Sequence, residues 1–501
     1  MNANYPALIV LSPLLAAFLV AALDWVDRRW CYPVALIGLG GAVYSSGHLF
    51  FQVMRSGTIA YQLGGWPPPM GIELRIDFLN VLLLILVSLV ALVNMVASKK
   101  SIHQEMPIKE GTFCTIYLLF VTGLLGVLVT GDLFNLYVLL EITSLASYAL
   151  LAMGNPDRAP LASLNYVYLG VIGASFYLLG VGYLYIMTGS LNMLDVASLL
   201  PQISGSTAVS VAFIFCLVGV WIKMGLFPLH TWLPNAYSYA PVAANRVIAP
   251  LMTKVMVYVM IRLMLTVFGF HYVFEQLDVQ NWIVGLGSVA IIAGALMALA
   301  QTDLKKMLAY IIVCEIGYMV GGAWVGNVQG MVGAVLHIIN DGLMTFALFL
   351  VLGNIVYVQG KTKISELDGI FASMPWTMAG FVLAGLSIIG VPPTCGFFSK
   401  WYLLLGGIQA GAWFFVIALV FSSLISAILV FRVVETAFFS SAQEVHGHHG
   451  GHAGHVAILQ EAPITMLASL GIVGIGLIAV GIWSGSIVQQ VILPFVQQGM
   501  S

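Results

Sequence analysis

Runs of apolar residues long enough to cross a bilayer as α-helices recur along the whole chain of 501 residues. Their spacing predicts fourteen spans, at 5–24, 31–54, 78–98, 112–130, 132–153, 162–188, 207–239, 244–268, 279–301, 305–325, 330–357, 376–407, 411–436 and 463–493. Prolines interrupt two of them, the seventh at Pro228 and the twelfth at Pro392–Pro393. We therefore expect an all-α, polytopic membrane protein.

Composition supports this class and excludes several others. Hydrophobic residues make up 60% of the chain and charged residues 8%, against about 25% charged in an average soluble domain. A net charge of −2 without a basic face argues against nucleic acid as a partner. The five cysteines are isolated, so disulfides, iron–sulfur clusters and zinc sites are not expected. No phosphate-binding or dinucleotide motif is present, and we predict no cofactor.

Lysines and arginines test the number of spans, because cytoplasmic loops carry an excess of them. If the N-terminal end lies on side A, side B holds twelve of the 18: Arg28, Arg29, Lys99, Lys100, Lys109, Arg158, Arg246, Lys305, Lys306, Lys361, Lys363 and Arg432. Side A holds Arg55, Arg75 and Arg262. The asymmetry predicts that side B is cytoplasmic and that both termini are extracytoplasmic.

The other three cations, Lys223, Lys254 and Lys400, fall inside predicted spans. A charge at membrane depth costs at least ~2.5–3.5 kcal/mol on insertion scales, and such residues often mark ion pathways. A buried lysine can lose its proton, whereas an arginine effectively cannot. This choice of residue suits a site that gains and releases protons.

Two of these lysines lie beside prolines that should open their helices. Pro228 follows Lys223 by five residues, and Pro392 and Pro393 precede Lys400. A proline cannot donate a hydrogen bond to the carbonyl four residues earlier. An opened helix at membrane depth is tolerated only against protein or a water-filled cavity. The pattern predicts a buried cation beside water; the alternative is a lysine that extends to the membrane surface.

A mid-span carboxylate, Glu141, should take up a proton or bind a cation, and Lys223 or Lys254 is available. A glutamate–lysine pair that opens and closes would act as an electrostatic switch in a proton relay. The alternative is a static ion pair, although buried pairs rarely stabilise a protein relative to apolar replacements.

Four further ionisable residues extend the candidate path. His337 and Asp341 lie together in the eleventh span, and a histidine can carry a proton near neutral pH. Glu315 is inside the tenth span. His230, just past the proline of the seventh span, would connect its lysine to water on the cytoplasmic side.

The two interrupted spans are five apart and so cross the membrane in opposite directions. Interrupted helices at corresponding positions of two halves point to a transport site. We expect inverted five-helix repeats over 111–270 and 271–440, preceded by three helices in 1–110 and followed by a loop at 441–462 and a last helix in 463–501.

Two loops have unusual compositions. The loop 441–462 contains HGHHGGHAGH. Its glycines and its lack of a closing ligand favour weak, adventitious metal affinity over a metal site. Residues 61–77 form a loop on side A that is too rich in proline for a helix.

Four stretches resemble the antiporter-like subunits shared by respiratory complex I and the multisubunit Mrp cation/proton antiporters: GDLFNLYVLLE (131–141), KMGLFPLHTWLPNAY (223–237), QTDLKKMLAY (301–310) and LSIIGVPPTCGFFSKWY (386–402). The EAP at 461–463 also fits. The form DLFNLYVLLE, Lys400 and the length look most like the Mrp D subunit.

The resemblance implies roles for individual residues. Glu141 and Lys223 match the family's glutamate–lysine pair, and Lys254 matches its connecting lysine. Lys400 matches the terminal lysine on the second broken helix, and His337 the histidine in the middle of the axis.

The sequence departs from the family pattern near this centre. Asp341 and Thr345 stand where many relatives carry a second histidine and a lysine, and Glu315 stands where a glutamine is usual. The central relay is therefore expected to use the carboxylates Asp341 and Glu315 in place of the usual cation.

The function that the resemblance implies is proton translocation, coupled to sodium or another monovalent cation, by one hydrophobic subunit among others in a bacterial or archaeal plasma (inner) membrane. One alternative is the proton-pumping subunit of a complex I-like NADH:quinone oxidoreductase or membrane-bound hydrogenase, in which partners carry the redox chemistry. A second alternative is a structural membrane scaffold whose buried charges fix helix register.

Overall fold

The structure, a computed structural model, describes residues 4–154, 157–439 and 459–500, which are nearly all helical. Six long helices come first: α1 Tyr5–Val26, α2 Cys31–Ser56, α3 Phe78–Glu105, α4 Glu110–Val129, α5 Leu133–Ala152 and α6 Ala159–Thr188. Then follow α7 Met193–Ile203, α8 Thr207–Met224, α9 Trp232–Tyr239 and α10 Val242–Arg262.

The rest of the chain is also helical. It contains α11 Gln280–Leu299, α12 Leu304–Trp324, α13 Val328–Gln359, α14 Ile370–Ser373, α15 Pro375–Ile389, α16 Cys395–Gln409 and α17 Trp413–Phe439. Two helices end the chain, α18 Ile464–Ile487 and α19 Leu493–Met500. Short 3-10 or π-helical turns occupy Arg28–Trp30, Leu63–Gly65, Leu263–Val267, His271–Gln276, Ile364–Glu366 and Val488–Ile492.

Each of the predicted spans coincides with a helix or with a pair of half-helices. Thirteen helices of the described residues are long and apolar enough to cross a membrane. The remaining crossing is α15 with α16, which are 15 residues each. Neither half alone reaches the ~20 residues that a bilayer demands. The class predicted from the sequence, an all-α polytopic membrane protein, is confirmed.

A similar turn precedes α5 and α12. Asp132 caps α5 by accepting a hydrogen bond from the amide of Asn135, and Asp303 caps α12 in the same way. The amide of Leu133 donates to the carbonyl of Leu191, and the amide of Leu304 donates to that of Thr362, both at 2.8 Å. An odd number of spans separates the two turns, which is what inverted repeats require.

One element is not helical. Ile59–Gln62 (β1) and Glu73–Ile76 (β2) pair antiparallel near the two ends of the segment 61–77, which the sequence predicts to be too rich in proline for a helix. Trp66, Pro67 and their neighbours form the turn that lets the short strands meet. Proline excludes helix here, but extended flanks remain compatible with pairing.

Three helices form the centre of the molecule. The most apolar stretch of Val242–Val267 is entirely buried, and those of α12 and α13 are 94% buried, against 33% for α1. The cysteines, all buried and unbonded, pack among apolar side chains as small hydrophobic residues. Polar groups on the three central helices are therefore shielded from lipid and from bulk water.

Candidate functional site

Lys223 lies in the last turn of α8, with 1% of its side chain exposed. Its Nζ donates to Oε1 of Glu141 at 3.1 Å and to Oγ of Ser144 at 2.8 Å. Both acceptors lie on one face of α5, because they are three residues apart. The glutamate is 24% exposed, so the pair is buried on the lysine side only.

The helix opens next to this lysine, as predicted, but glycine ends it before proline does. Gly225 is left-handed, with φ of 74°, and its amide donates to the carbonyl of Trp221 at 3.1 Å. This is the usual glycine ending of a helix. Pro228 lies inside the gap, and α9 begins at Trp232. The proline prevents the helix from resuming at once.

The second buried lysine pairs with the aspartate of the eleventh span. Nζ of Lys254 lies 2.8 Å from Oδ2 of Asp341, and the side chains are 1% and 0% exposed. Thr345 donates its hydroxyl to Oδ1 of the same aspartate at 2.8 Å. Of the two lysines that the sequence offers to Glu141, the structure therefore assigns Lys223 to it and Lys254 to Asp341.

His337 bridges two helices one turn before that aspartate on α13. Its Nε2 lies 2.6 Å from Oε2 of Glu315, and its Nδ1 lies 2.9 Å from Oγ of Ser399. The histidine and the glutamate are fully buried. The serine hydroxyl donates to the carbonyl of Gly396 at 3.3 Å, so it accepts from Nδ1. The 2.6 Å contact is short enough for a proton to pass between Nε2 and the carboxylate.

Lys400 lies beyond the second break and binds the carbonyl that proline leaves free. Its Nζ donates to the carbonyl of Ile388 at 2.5 Å and to Oγ of Ser423 at 3.3 Å. In a continuous helix the amide of residue 392 would donate to that carbonyl, but Pro392 has no N–H. The ammonium also lies 5.0 Å from the ring centroid of Tyr318.

The second break has the same glycine ending as the first. Gly390 is left-handed, with φ of 93°, and its amide donates to the carbonyl of Leu386 at 3.1 Å. Pro392 and Pro393 follow within the gap. The two interrupted helices therefore both end at a left-handed glycine. A buried lysine lies beside each break, Lys223 at the first and Lys400 at the second.

No hydrogen bond or ion pair among the described residues joins His230 to Lys223, the lysine that it is predicted to serve. The buried ring lies 5.1 Å from that of Phe227 and 6.1 Å from that of Tyr310. Its described ring contacts are thus with these aromatics and not with Lys223. A role for it depends on water in the gap.

Sequence reasoning missed two hydroxyls that complete the site, Ser144 and Ser423. The first follows Glu141 by three residues, a spacing that signals a shared helix face. The second lies on α17, and only the packing of α17 against the break brings it to Lys400.

Within the described residues, no group of three or more histidine, cysteine or carboxylate side chains could hold a metal ion. The histidines of the loop 441–462 lie outside those residues. The weak metal affinity expected of that loop stays a prediction.

A family model described as NADH:quinone oxidoreductase/Mrp antiporter, TM, matches residues 130–426, which is more than half of the chain. The chain belongs to this family. It is therefore an integral membrane protein of the antiporter-like type, and the expected resemblance is confirmed. The matched region contains Glu141, Lys223, Lys254, Glu315, His337, Asp341 and Lys400.

Relatives come from both branches of the family. The chain is 43% identical over 500 residues to the N subunit of the NADH-quinone oxidoreductase of Desulforudis audaxviator, covering 98% of each. It is 32% identical over 365 residues to the D subunit of the Na(+)/H(+) antiporter of Alkalihalophilus pseudofirmus, covering 73% of each.

Solved structures share the fold over nearly the full length. A chain of the membrane-bound sulfane sulfur reductase, an archaeal respiratory membrane complex, superimposes with a TM-score of 0.90 at 26% identity, covering 99% of this chain and 98% of that one. A chain of the Mrp complex from a Dietzia species gives a TM-score of 0.86 at 22% identity, covering 100% and 99%.

Proposed function

We propose that the chain translocates protons along a buried path of seven side chains: Glu141, Lys223, Lys254, Asp341, His337, Glu315 and Lys400. The observation that carries this proposal is that every one of these carboxylates contacts a basic side chain that can release its proton. His230, in the first break, extends the proposed path toward the cytoplasmic side.

The pairs suit a relay because each places a basic side chain in direct contact with a carboxylate. In a low-dielectric interior a lysine keeps its proton while its carboxylate is charged. When the carboxylate is neutralised, desolvation favours loss of the lysine proton. Asp341 and His337 are one turn apart on α13, so a change of charge in one pair alters the next.

The scaffold alternative explains the geometry less well. Replacing a buried ion pair by apolar residues is often neutral or stabilising. The two buried pairs, the partly exposed Glu141–Lys223 pair and the ammonium of Lys400 would then be retained without benefit to the fold. A hydrophobic interior of α10, α12 and α13 would hold the helices together equally well.

The energy source for proton translocation depends on the partner subunits. We propose a multisubunit Na⁺/H⁺ antiporter, or one for another monovalent cation, because the family includes relatives named as D subunits of Na(+)/H(+) antiporters. A redox-driven NADH:quinone oxidoreductase is favoured instead by the relative with 43% identity. Purification of the intact complex distinguishes them: small hydrophobic subunits indicate the antiporter, and a cluster-bearing hydrophilic arm indicates the oxidoreductase.

The test of proton translocation is the pH-gradient response of everted membrane vesicles. Lys223→Met removes the ammonium and keeps the length of the side chain, so we expect loss of the response at unchanged protein level. Lys109→Ala is the matched control, since this lysine is exposed on side B. A normal response in Lys223→Met would support the scaffold.

We also propose the topology that the cations indicate, in a plasma (inner) membrane. Side B faces the cytoplasm and both termini are extracytoplasmic. The matching turns at Asp132 and Asp303 support repeats over 111–270 and 271–440. Protease accessibility of a C-terminal tag in intact cells tests the orientation: cleavage is expected from outside.

A further inference from the structure

A cavity of about 820 Å³ lies away from the proposed path, among helix ends on side B. It is bounded by the start of α2, the end of α3, the start of α4, Tyr357 near the end of α13 and Thr465 at the start of α18. Its volume is within the ~300–1,000 Å³ of typical ligand sites. Nothing in the proton path uses it.

The cavity lies at the level of the membrane–water interface. Trp25 is 92% exposed and Trp30 is 59% exposed, and they flank Arg28, which lines the cavity. Exposed tryptophans are characteristic of the headgroup region. The cavity therefore opens where charged headgroups meet the first methylenes of lipid chains.

Two lysines at this cavity have no anionic partner in the described part of the protein. Arg28 is matched by Asp24 at 3.0 Å, and His103 by Glu110 at 2.5 Å. The ion pairs of the described residues do not include Lys99 or Lys100. Nζ of Lys99 lies instead 4.8 Å from the ring centroid of Tyr32.

Part of the cavity wall is apolar and buried. Cys31, Ile102 and Cys114 line it and are buried. A free phosphate would fill only the charged mouth and would leave this wall uncovered. A molecule with an anionic head and a hydrocarbon body matches both parts.

We propose that this cavity binds an anionic phospholipid of the cytoplasmic leaflet. The phosphate lies between Lys99 and Lys100, and the upper acyl chains pack against Ile102 and the two cysteines. Basic pockets between helices on this side of a membrane are suited to anionic headgroups.

The test uses the protein in its purified native complex, returned to phosphatidylcholine vesicles that contain a photoactivatable phosphatidylglycerol. Illumination should cross-link the probe to peptides carrying Tyr32, Ile102 or Cys114. The double variant Lys99→Glu/Lys100→Glu should reduce this yield about tenfold or more. Lys109→Glu, which makes half that change of charge nearby on the same side, should leave it unchanged.

A second variant tests the apolar part without changing charge. Cys114→Trp fills the wall and should also lower the yield, with the complex recovered intact. The proposal is overturned if photoactivatable phosphatidylcholine labels equally, if Lys109→Glu has the same effect as the double variant, or if the peptides are unlabelled. Competition by inorganic phosphate would identify a phosphate site instead, and cross-links to a partner protein alone would identify a subunit interface.

Discussion

The pair between Lys254 and Asp341 gives the sharpest separation of a proton relay from a structural contact. A scaffold needs the pair only for its packing. A relay needs the charges themselves. The two roles are separated by a set of three variants, Lys254→Met, Asp341→Leu and the two combined, because the substitutes are apolar and close in volume to the residues that they replace.

The energies follow from the geometry. At 2.8 Å the attraction is ~6 kcal/mol for an effective dielectric constant of ~20. Desolvation of each ion opposes this by several kcal/mol. Removing one partner leaves an uncompensated buried charge, so each single variant should lose about 3–5 kcal/mol of stability. The double variant buries no charge and should lie within about 1 kcal/mol of wild type.

Two measurements on the same preparations complete the design. Thermal unfolding of the purified complex should show both single variants destabilised and the double variant restored. Proton transport in vesicles should be lost in all three, because the restored protein has no titratable group at this point. Thr345→Val, which removes the hydrogen bond to the aspartate and the acceptor 3.4 Å from Nζ of Lys254, should cost about 1–2 kcal/mol and retain transport.

The decisive comparison is transport by the double variant. Recovery of wild-type transport together with stability would mean that Lys254 and Asp341 fix helix packing and carry no proton. We expect Thr345→Val to lose less transport than Asp341→Leu. An equal loss in the two variants would contradict a specific role of Asp341 in proton transfer.

Three other changes have defined outcomes. Glu315→Gln keeps a hydrogen bond to the histidine but cannot exchange a proton with it, so vesicle transport should fall about tenfold or more while the melting temperature stays the same. Ser144→Ala removes an acceptor 2.8 Å from the neighbouring lysine and should slow transport without abolishing it, as measured by initial rates. Gly390→Ala forces a left-handed alanine at φ of 93° and should destabilise the protein by about 1–2 kcal/mol in thermal unfolding, whereas Gly471→Ala, with no atom within 4 Å of the added carbon, should not.

The sequence predicts the helices and the second break well, because both depend on local chemistry. The length of an apolar run determines whether it can span the membrane. The N–H that proline lacks determines which backbone carbonyl is left without its helical partner. The carbonyl of Ile388 lies four residues before Pro392, and Lys400 binds it in the structure. The sequence analysis attributes both breaks to proline and does not predict that each helix ends at a glycine before it. Gly225, three residues before Pro228, and Gly390, two residues before Pro392, could have indicated these helix ends.

The sequence does not predict which buried charges pair with each other, because the pairing depends on tertiary packing. Glu141 has two candidate lysines in the sequence, and only the crossing of α10 with α13 gives Lys254 to Asp341. The departure from the family pattern predicts that carboxylates replace a cation at the centre. In the structure both of these carboxylates contact a basic side chain. Asp341 pairs with Lys254, and Glu315 pairs with His337.

Transport by variants at the two ends of the path tests most directly whether it is continuous. Glu141→Ala and Lys400→Ala alter residues in different repeats, with no described contact in common. If protons pass through both in series, each variant alone should abolish the pH-gradient response of vesicles at normal protein level, and the double variant should lose nothing more. A wild-type response in either single variant would contradict a path that runs the length of the subunit.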